Sequence, residues 1–369
     1  MSVFRSLYRG ETNLQFIATR KRWYLASLVL IVICVTSFAV RGFNFGIDFA
    51  GGSSFQIPAS ASSSITTKQV DTAFSDAGVT TADPAQAVGS GADRSITVKT
   101  SSLNVGKQQT VQIAVAKQLG LAKASDISIK SVGSSWGHDV TVKAIEGLIV
   151  FLIVVSIYIS IRFEWRMAMG GIVALLHDLV IAAGVYSIVG FEVTPSTVVG
   201  LLTILGFSLY DTVVVYDKVA ENTKDLLAGS RATFAEQANR AVNQTLMRSI
   251  NTSLIALLPV AGLLFVGAGL LGVGTIKDLA LILFVGLASG AYSSLFLATP
   301  IVVDLTERMP EYQALARRVA AKRASEAKRA AEEAQLAAAG LASRSASRRS
   351  GAPAPAPRPG VRPTRGRRR

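Results

Sequence analysis

Reactive side chains are scarce in this chain. Cys34 is the one cysteine among 369 residues, and His138 and His177 are the two histidines. A single thiol makes no internal disulfide, and a thiol inside an apolar run is ordinarily packing. Without a Cys/His cluster a zinc site is not supported, and neither a resident metal nor an organic cofactor is expected. No Walker A pattern occurs, since Gly272-Val273-Gly274 is an isolated glycine pair, so ATP hydrolysis by this chain is not expected. Charge is short as well, at 17% of residues, against about 25% in soluble domains. The deficit falls in runs long enough to cross a bilayer core of about 30 Å. A single soluble globular domain is excluded.

What is present is apolar. Half of the residues are hydrophobic, with a mean hydropathy of +0.41. Six spans are predicted, at Tyr24–Val40, Ala144–Ile161, Gly170–Val189, Pro195–Tyr216, Ser253–Leu271 and Leu279–Val303. The first is too long for a signal-peptide core and is followed at once by Arg41, so it reads as an uncleaved span. Lys and Arg in short loops favour the cytoplasm. Arg5, Arg9, Arg20, Lys21 and Arg22 precede span one, Arg162 and Arg166 follow span two, and five bases from Lys218 to Arg248 follow span four. Both termini are therefore expected in the cytoplasm, with the long first loop outside. The net charge of +14 would suit nucleic acid, but 15 of the 38 bases and only 4 of the 24 acids lie in residues 311–369. The basicity is mostly a tail property, and nucleic-acid binding is not expected.

The organisation read this way is an N-terminus over 1–23, span one over 24–40, a loop domain over 41–143, spans two to six over 144–303, and a basic tail over 304–369. In the loop domain, Ser53–Ile57, Ala85–Val88, Arg94–Thr100 and Asp126–Val132 read as strands. Thr66–Ala77, with Thr66 and Gln69 at capping-box spacing, and Val105–Leu119 read as helices. That β-α-β-β-α-β order belongs to a ferredoxin-like α+β fold. The tail starts as an Ala/Glu/Lys/Arg helix-forming stretch to about Leu341 and continues as Ser/Arg and Pro/Ala low complexity, expected to be largely disordered and dispensable beyond Met309. A solvated tail beside anionic lipid and a contact with an acidic partner are both open readings.

The informative residues are polar ones inside apolar spans. An ionised Asp at a helix centre costs on the order of 2.5–3.5 kcal/mol, so Asp211 in span four is either paired or neutral. It is a proton-coupling residue or helix–helix glue. Arg248, at the entry to span five, is an interfacial snorkelling arginine or a cation that pairs with Asp211 in one state. Thr252, one turn on, is placed to share its face. His177 and Asp178 in mid-span three belong to a proton path or serve as polar glue. Gly286 and Gly290 form a small-xxx-small pair, and Pro259 is expected to kink span five.

Several segments carry a family resemblance. Phe45-Gly-Ile-Asp-Phe-Ala-Gly-Gly52 (with Gly46, Asp48, Gly51 and Gly52), Ile161-Arg-Phe-Glu-Trp-Arg166 (with Arg162 and Glu164), Ala174-Leu-Leu-His-Asp178, Gly206 to Asn222 (with Asp217) and Arg248-Ser-Ile-Asn-Thr-Ser253 resemble, in order and spacing, the motifs of the SecD/SecF family of protein-export membrane subunits. Asp211-Thr-Val resembles the SecF branch, whereas SecD is expected to carry Asp-Ala-Asn. Ser131 to Asp139 follows the family pattern only loosely, and the tail lies outside it. The resemblance implies an all-α bundle of six membrane helices of RND-superfamily type with a ferredoxin-like domain outside, in a bacterial plasma membrane. It implies SecD as heterodimer partner, the SecYEG channel and SecA as functional partners, room for an accessory membrane subunit, and unfolded exported polypeptide as cargo. The implied role is proton-driven completion of translocation, not enzymatic chemistry, with Asp211, Arg248, Thr252, His177 and Asp178 as the expected proton pathway. A non-conducting scaffold is the alternative.

Overall fold

Apolar runs bounded by capping residues set the helices, and a computed structural model describes residues 14–59, 65–82, 84–88, 94–270 and 277–349. Arg5 and Arg9, the Gly272–Gly274 pair, Leu271 at the expected end of span five, and the Pro/Arg-rich segment 350–369 lie outside the described residues. In chain order the elements are α1 (Arg20–Arg41), β1 (Asn44–Phe45), α2 (Ile47–Ala50), β2 (Gly52–Pro58), α3 (Thr67–Asp76), β3 (Gln86–Val88), β4 (Ser95–Thr100), α4 (Val105–Gln118) and β5 (Ser128–Val132). They continue with α5 (Ser134–Arg162), α6 (Trp165–Val189), β6 (Glu192–Val193), α7 (Pro195–Thr223), α8 (Phe234–Ala261), α9 (Lys277–Ser293), α10 (Thr299–Glu307) and α11 (Pro310–Arg349).

Six of these helical stretches are long and apolar enough to cross a membrane: α1, α5, α6, α7, α8 and the joined α9–α10. Five include the expected apolar cores whole, span five holds its core as far as the described residues reach, at Leu270, and most overrun the expected bounds. α5 starts at Ser134, well before Ala144, and α8 starts at Phe234, well before Ser253. Hydropathy registers only lipid-depth residues, whereas backbone hydrogen bonding carries a helix on through polar turns such as His138–Lys143. The local starts have chemical causes. Thr194 caps α7 ahead of Pro195, and Thr233 with Glu236 closes a capping box on α8. Past Pro259 the helix widens into a π segment at Gly262–Leu270, and a second π segment, Ser294–Ala298, joins α9 to α10. Pro300 sits at the start of α10, where its missing N–H and ring offset the regular ladder.

Small residues set the contact between spans four and six. A Cβ at Gly286 would overlap the Ile204 side chain, and one at Gly290 would lie 2.9 Å from Ser208 Cβ. Leu205, Val215, Tyr216 and Val219 of α7 join Leu295, Ala298 and Val302 in the largest apolar core.

Between spans one and two the chain forms an α+β domain. Its antiparallel sheet has the order β3-β4-β2-β5, with Phe55 opposite both Val98 and Ile129. Alternate residues Phe55, Ile57, Ile96 and Val98 are fully buried and pack with Val70 and Phe74 of α3 and Val111 and Val115 of α4. The expected Thr66–Gln69 capping box is present on α3. β1 pairs in parallel with β6, and Lys99 Nζ lies 2.9 Å from Glu192 Oε2, so the domain is tied to the loop between spans three and four.

The tail helix expected to about Leu341 is present and runs further: α11 continues to Arg349, so residues 342–349, expected as the start of the low-complexity segment, are helical. Its first turns are docked. Leu315 and Val319 are buried, Tyr312 packs edge-on to Phe234 at 5.3 Å, and Arg323 makes a two-pronged bond to Glu236 at 2.7 and 2.8 Å.

Candidate functional site

Spans three, four and six bring their polar residues together. Asp178, in mid-α6, is 1% exposed. Its carboxylate accepts hydrogen bonds from Ser208 Oγ of α7 (2.6 Å) and from Ser289 Oγ and Ser293 Oγ of α9 (both 2.7 Å). His177 Nδ1 lies 3.3 Å from Asp178 Oδ1, so these helix neighbours meet despite diverging by about 100° around the axis. His177 Nε2 is buried without a partner among the described residues. The Nδ1–H tautomer suits both facts, because it donates to Asp178 and leaves only a lone pair at Nε2.

Asp211 lies further along α7 and is 3% exposed. It accepts from Ser249 Oγ of α8 at 2.8 Å and from Ser294 Oγ of span six. Among the described residues no Lys or Arg forms an ion pair with Asp178 or Asp211. The expected Asp211–Arg248 pair is therefore not made here. The reason is rotational: Ser249 faces Asp211, so its predecessor Arg248 is turned about 100° away. Arg248 instead donates to Tyr210 Oη at 3.2 Å on the exposed face of α7 and α8. Thr252 turns inward on its own helix and donates to Arg248 O at 2.8 Å. Ser208, three residues before Asp211 on α7, bonds to Asp178 instead.

The remaining motif residues hold joints. Gly51 and Gly52 have φ of 73° and 141°. A Cβ on Gly52 would lie 2.6 Å from Thr100 O, and one on Gly51 2.8 Å from Ser134 Cα, so the backbone of β2 passes β4 and the start of α5 with no room for side chains. Gly46 N donates to Val193 O at 2.9 Å, and Asp48 pairs with Lys130 at 3.0 Å. At the other end of the bundle Arg162 pairs with Asp217 at 2.9 Å, Glu164 pairs with Arg166, and Asn222 Nδ2 donates to Gln244 Oε1 at 2.9 Å. The first of these contacts fastens span two to span four and the last span four to span five, while the Glu164–Arg166 pair is local to the start of α6.

Ser249, Ser289, Ser293 and Ser294 escape a sequence reading that follows charge. Their available signal is spacing: Ser289 and Ser293 are four apart, on one helix face, in an apolar span.

A multi-pass helical bundle whose interior holds two carboxylates on serine hydroxyls is an integral membrane protein with an ionisable core. Residues 111–308 match the family described as protein export membrane protein SecD/SecF, C-terminal, and residues 36–62 match the SecD/SecF GG motif. The chain is 47% identical to protein translocase subunit SecF of Streptomyces coelicolor over 86% of this chain and 83% of that one. It is 43% identical to the SecF subunit of Mycobacterium tuberculosis over 90% and 76% of the respective lengths. The crystal structure of SecDF, a translocon-associated membrane protein from Thermus thermophilus, aligns with a TM-score of 0.70 at 30% identity. That alignment covers 81% of this chain but 39% of the Thermus protein, so the chain spans about two fifths of its length. The chain belongs to the SecD/SecF family of protein-export membrane proteins, with SecF subunits among its relatives.

Proposed function

We propose that this chain is the SecF-type half of a proton-driven protein-export motor. The observation that carries this reading is Asp211, buried on the hydroxyls of Ser249 and Ser294 with no basic partner among the described residues. A serine hydroxyl donates to a carboxylate and accepts from a carboxylic acid. The pocket therefore serves both charge states, as a group that loads and releases protons requires. Moving one charge through 100 mV supplies about 2.3 kcal/mol, which biases a two-state element roughly 50-fold.

In this reading SecD supplies the other half of the bundle. The exposed face of α7 and α8 supports it: Val199, Tyr210, Leu254, Ile255 and Leu258 are exposed large side chains on these two helices, and Tyr210 holds the Arg248 guanidinium. A lone cation in lipid is costly, and a second half-bundle would cover it. The α+β domain is read as ferredoxin-like and extracytoplasmic, gripping unfolded polypeptide after SecA has driven it through SecYEG. Both termini are read as cytoplasmic in an RND-type arrangement in the plasma membrane, and the chain is read as a translocation subunit without enzymatic chemistry. The scaffold alternative draws support from Asp178, whose three serine donors also suit a fixed ion that glues spans three, four and six.

The test is export completion in vesicles carrying this chain and SecD, with and without a proton gradient. Asp211→Asn and Arg248→Met should each remove the gradient-dependent component while insertion and SecD binding persist. Asp211→Glu should retain part of it. Full gradient-dependent export by Asp211→Asn would leave the scaffold reading in its place.

A further inference from the structure

We propose that Ser293 and Ser294 are positioning residues that couple the charge state of Asp178 to that of Asp211. The proposal rests on the reading of Asp211 as a proton-binding group and adds a second carboxylate tied to it. The two serines are consecutive, and they sit where α9 passes into the π segment Ser294–Ala298. Helix neighbours point about 100° apart, so one turn of span six addresses two spans at once. Ser293 Oγ donates to Asp178 Oδ2 of span three at 2.7 Å, and Ser294 Oγ donates to Asp211 Oδ2 of span four.

Each hydroxyl also has a second acceptor on its own helix. Ser293 Oγ lies 3.3 Å from Gly290 O, and Ser294 Oγ lies 3.3 Å from Ala291 O. While Asp211 is ionised it only accepts, and Ser294 points its hydrogen at it. When a proton binds Asp211 an O–H forms on the carboxyl group and needs an acceptor. Ser294 then turns its hydrogen to Ala291 O and offers a lone pair to the new O–H. No covalent bond changes except the one between proton and carboxylate, and release reverses it. Ser293 makes the same exchange between Asp178 and Gly290 O.

The exchange alters the turn 290–294, which both serines share. π segments recur at functional sites as local departures from the regular ladder, and here Thr299 Oγ1 donates to Ser294 O at 3.4 Å, five residues back. Span four supplies a second link. Gly290 packs on Ser208, which donates to Asp178 at 2.6 Å, and Ser208 O accepts from Thr212, the residue after Asp211. Other titratable groups on the packed elements include His177 beside Asp178, Tyr292 of α9 with its ring 5.9 Å from His177, Tyr210 and Tyr216 of α7, Cys34 of α1, which packs against Gly184 of α6, and Arg248 of α8 on the exposed face.

The experiment is an infrared titration of the carboxyl bands in the full complex with SecD, reconstituted in lipid. Asp178→Asn and Asp211→Asn assign the bands. In the otherwise unchanged chain, Asp211→Asn should alter the proton affinity of Asp178 by at least about fivefold, roughly 0.7 pH unit. The double change Ser293→Ala and Ser294→Ala should remove most of that shift, and Ser293→Thr with Ser294→Thr should keep it, because threonine restores the hydroxyl. Through-space repulsion does not need hydroxyls, so a shift that survives the double alanine change overturns the proposal, as does no shift at all in the unchanged background. If the double alanine chain fails to insert, Ser294→Ala alone is read by the same criteria. Full gradient-dependent export by Asp211→Asn would sink the motor reading and leave this coupling measurable. Loss of export in Asp211→Asn, with coupling intact in the double alanine chain, would sink this proposal alone.

Discussion

Replacing Gly290 with alanine tests whether the contact between spans four and six positions Ser208. The new Cβ would lie 2.9 Å from Ser208 Cβ, 3.2 Å from its Oγ and 3.3 Å from its Cα. Carbon contacts relax at about 3.5–4.0 Å, so the two helices must part by roughly 0.6–1 Å. Part of the obstacle is backbone, and a rotamer change of Ser208 does not remove it. The Ser208–Asp178 hydrogen bond, 2.6 Å long, would then stretch past the ~3.0 Å limit for O–H···O bonds. Overpacking costs about 1–3 kcal/mol, and weakening a hydrogen bond to a charged group adds a cost of similar size. Gly290→Ala should therefore lower the melting midpoint of the purified complex and reduce gradient-dependent export together. Adding Ser208→Gly removes the Cβ and Oγ contacts, leaving only Cα at 3.3 Å, but does not restore the hydroxyl. The double variant should recover thermal stability more fully than export. A Gly290→Ala complex with an unchanged midpoint and unchanged export would refute the packing argument and the role given to Ser208.

Other outcomes follow from the joints around the site. A chain ending at Met309 loses the buried Leu315 and Val319, worth on the order of 3 kcal/mol, so the loop before Thr233 should be cleaved faster by protease; a chain ending at Lys328 keeps them and should match full length. Glu192→Ala leaves the Lys99 ammonium buried and uncompensated and should destabilise the complex by about 1–3 kcal/mol, whereas Lys99→Met should cost less, as read by thermal melts. Gly52→Ala forces a side chain into a strained φ and against Thr100 O, so amide exchange in β2 and β4 should speed markedly.

Much of this molecule is legible in the chain, for reasons that can be named. Apolar runs mark the lipid-depth part of every span, and Thr66 with Gln69 marks the start of α3, because burial and capping are local. Asp178 and Asp211 stand out because charge in an apolar run is rare. The hydroxyls that hold them do not stand out, since serine enters an apolar helix at little cost and its partner lies on another span. The direction of Arg248 was equally hidden, because an assignment of facing needs the neighbour Ser249 to be known as the inward residue. The docking of α11 rests on Leu315 and Val319, two apolar residues in a stretch whose composition otherwise reads as solvated. The polar first turns of α5 lie beyond what hydropathy registers.

The continuity of α5 has a mechanical consequence. One residue, Gly133, separates β5 from a helix that runs unbroken from Ser134 to Arg162. At 1.5 Å per residue this is a rod of roughly 43 Å. It is gripped near its ends, by Gly137 closing on Phe49 O and by Val155 and Ile159 in the bundle, while most of the length between carries exposed side chains. A rod held that way pivots as a lever. A tilt of 10° at the bundle grip, about 34 Å from Ser134, sweeps that end through about 6 Å, close to the rise of two residues of extended chain. The stroke of such a lever is set by its length and pivot, so its displacement is a matter of leverage and does not require the helix itself to bend.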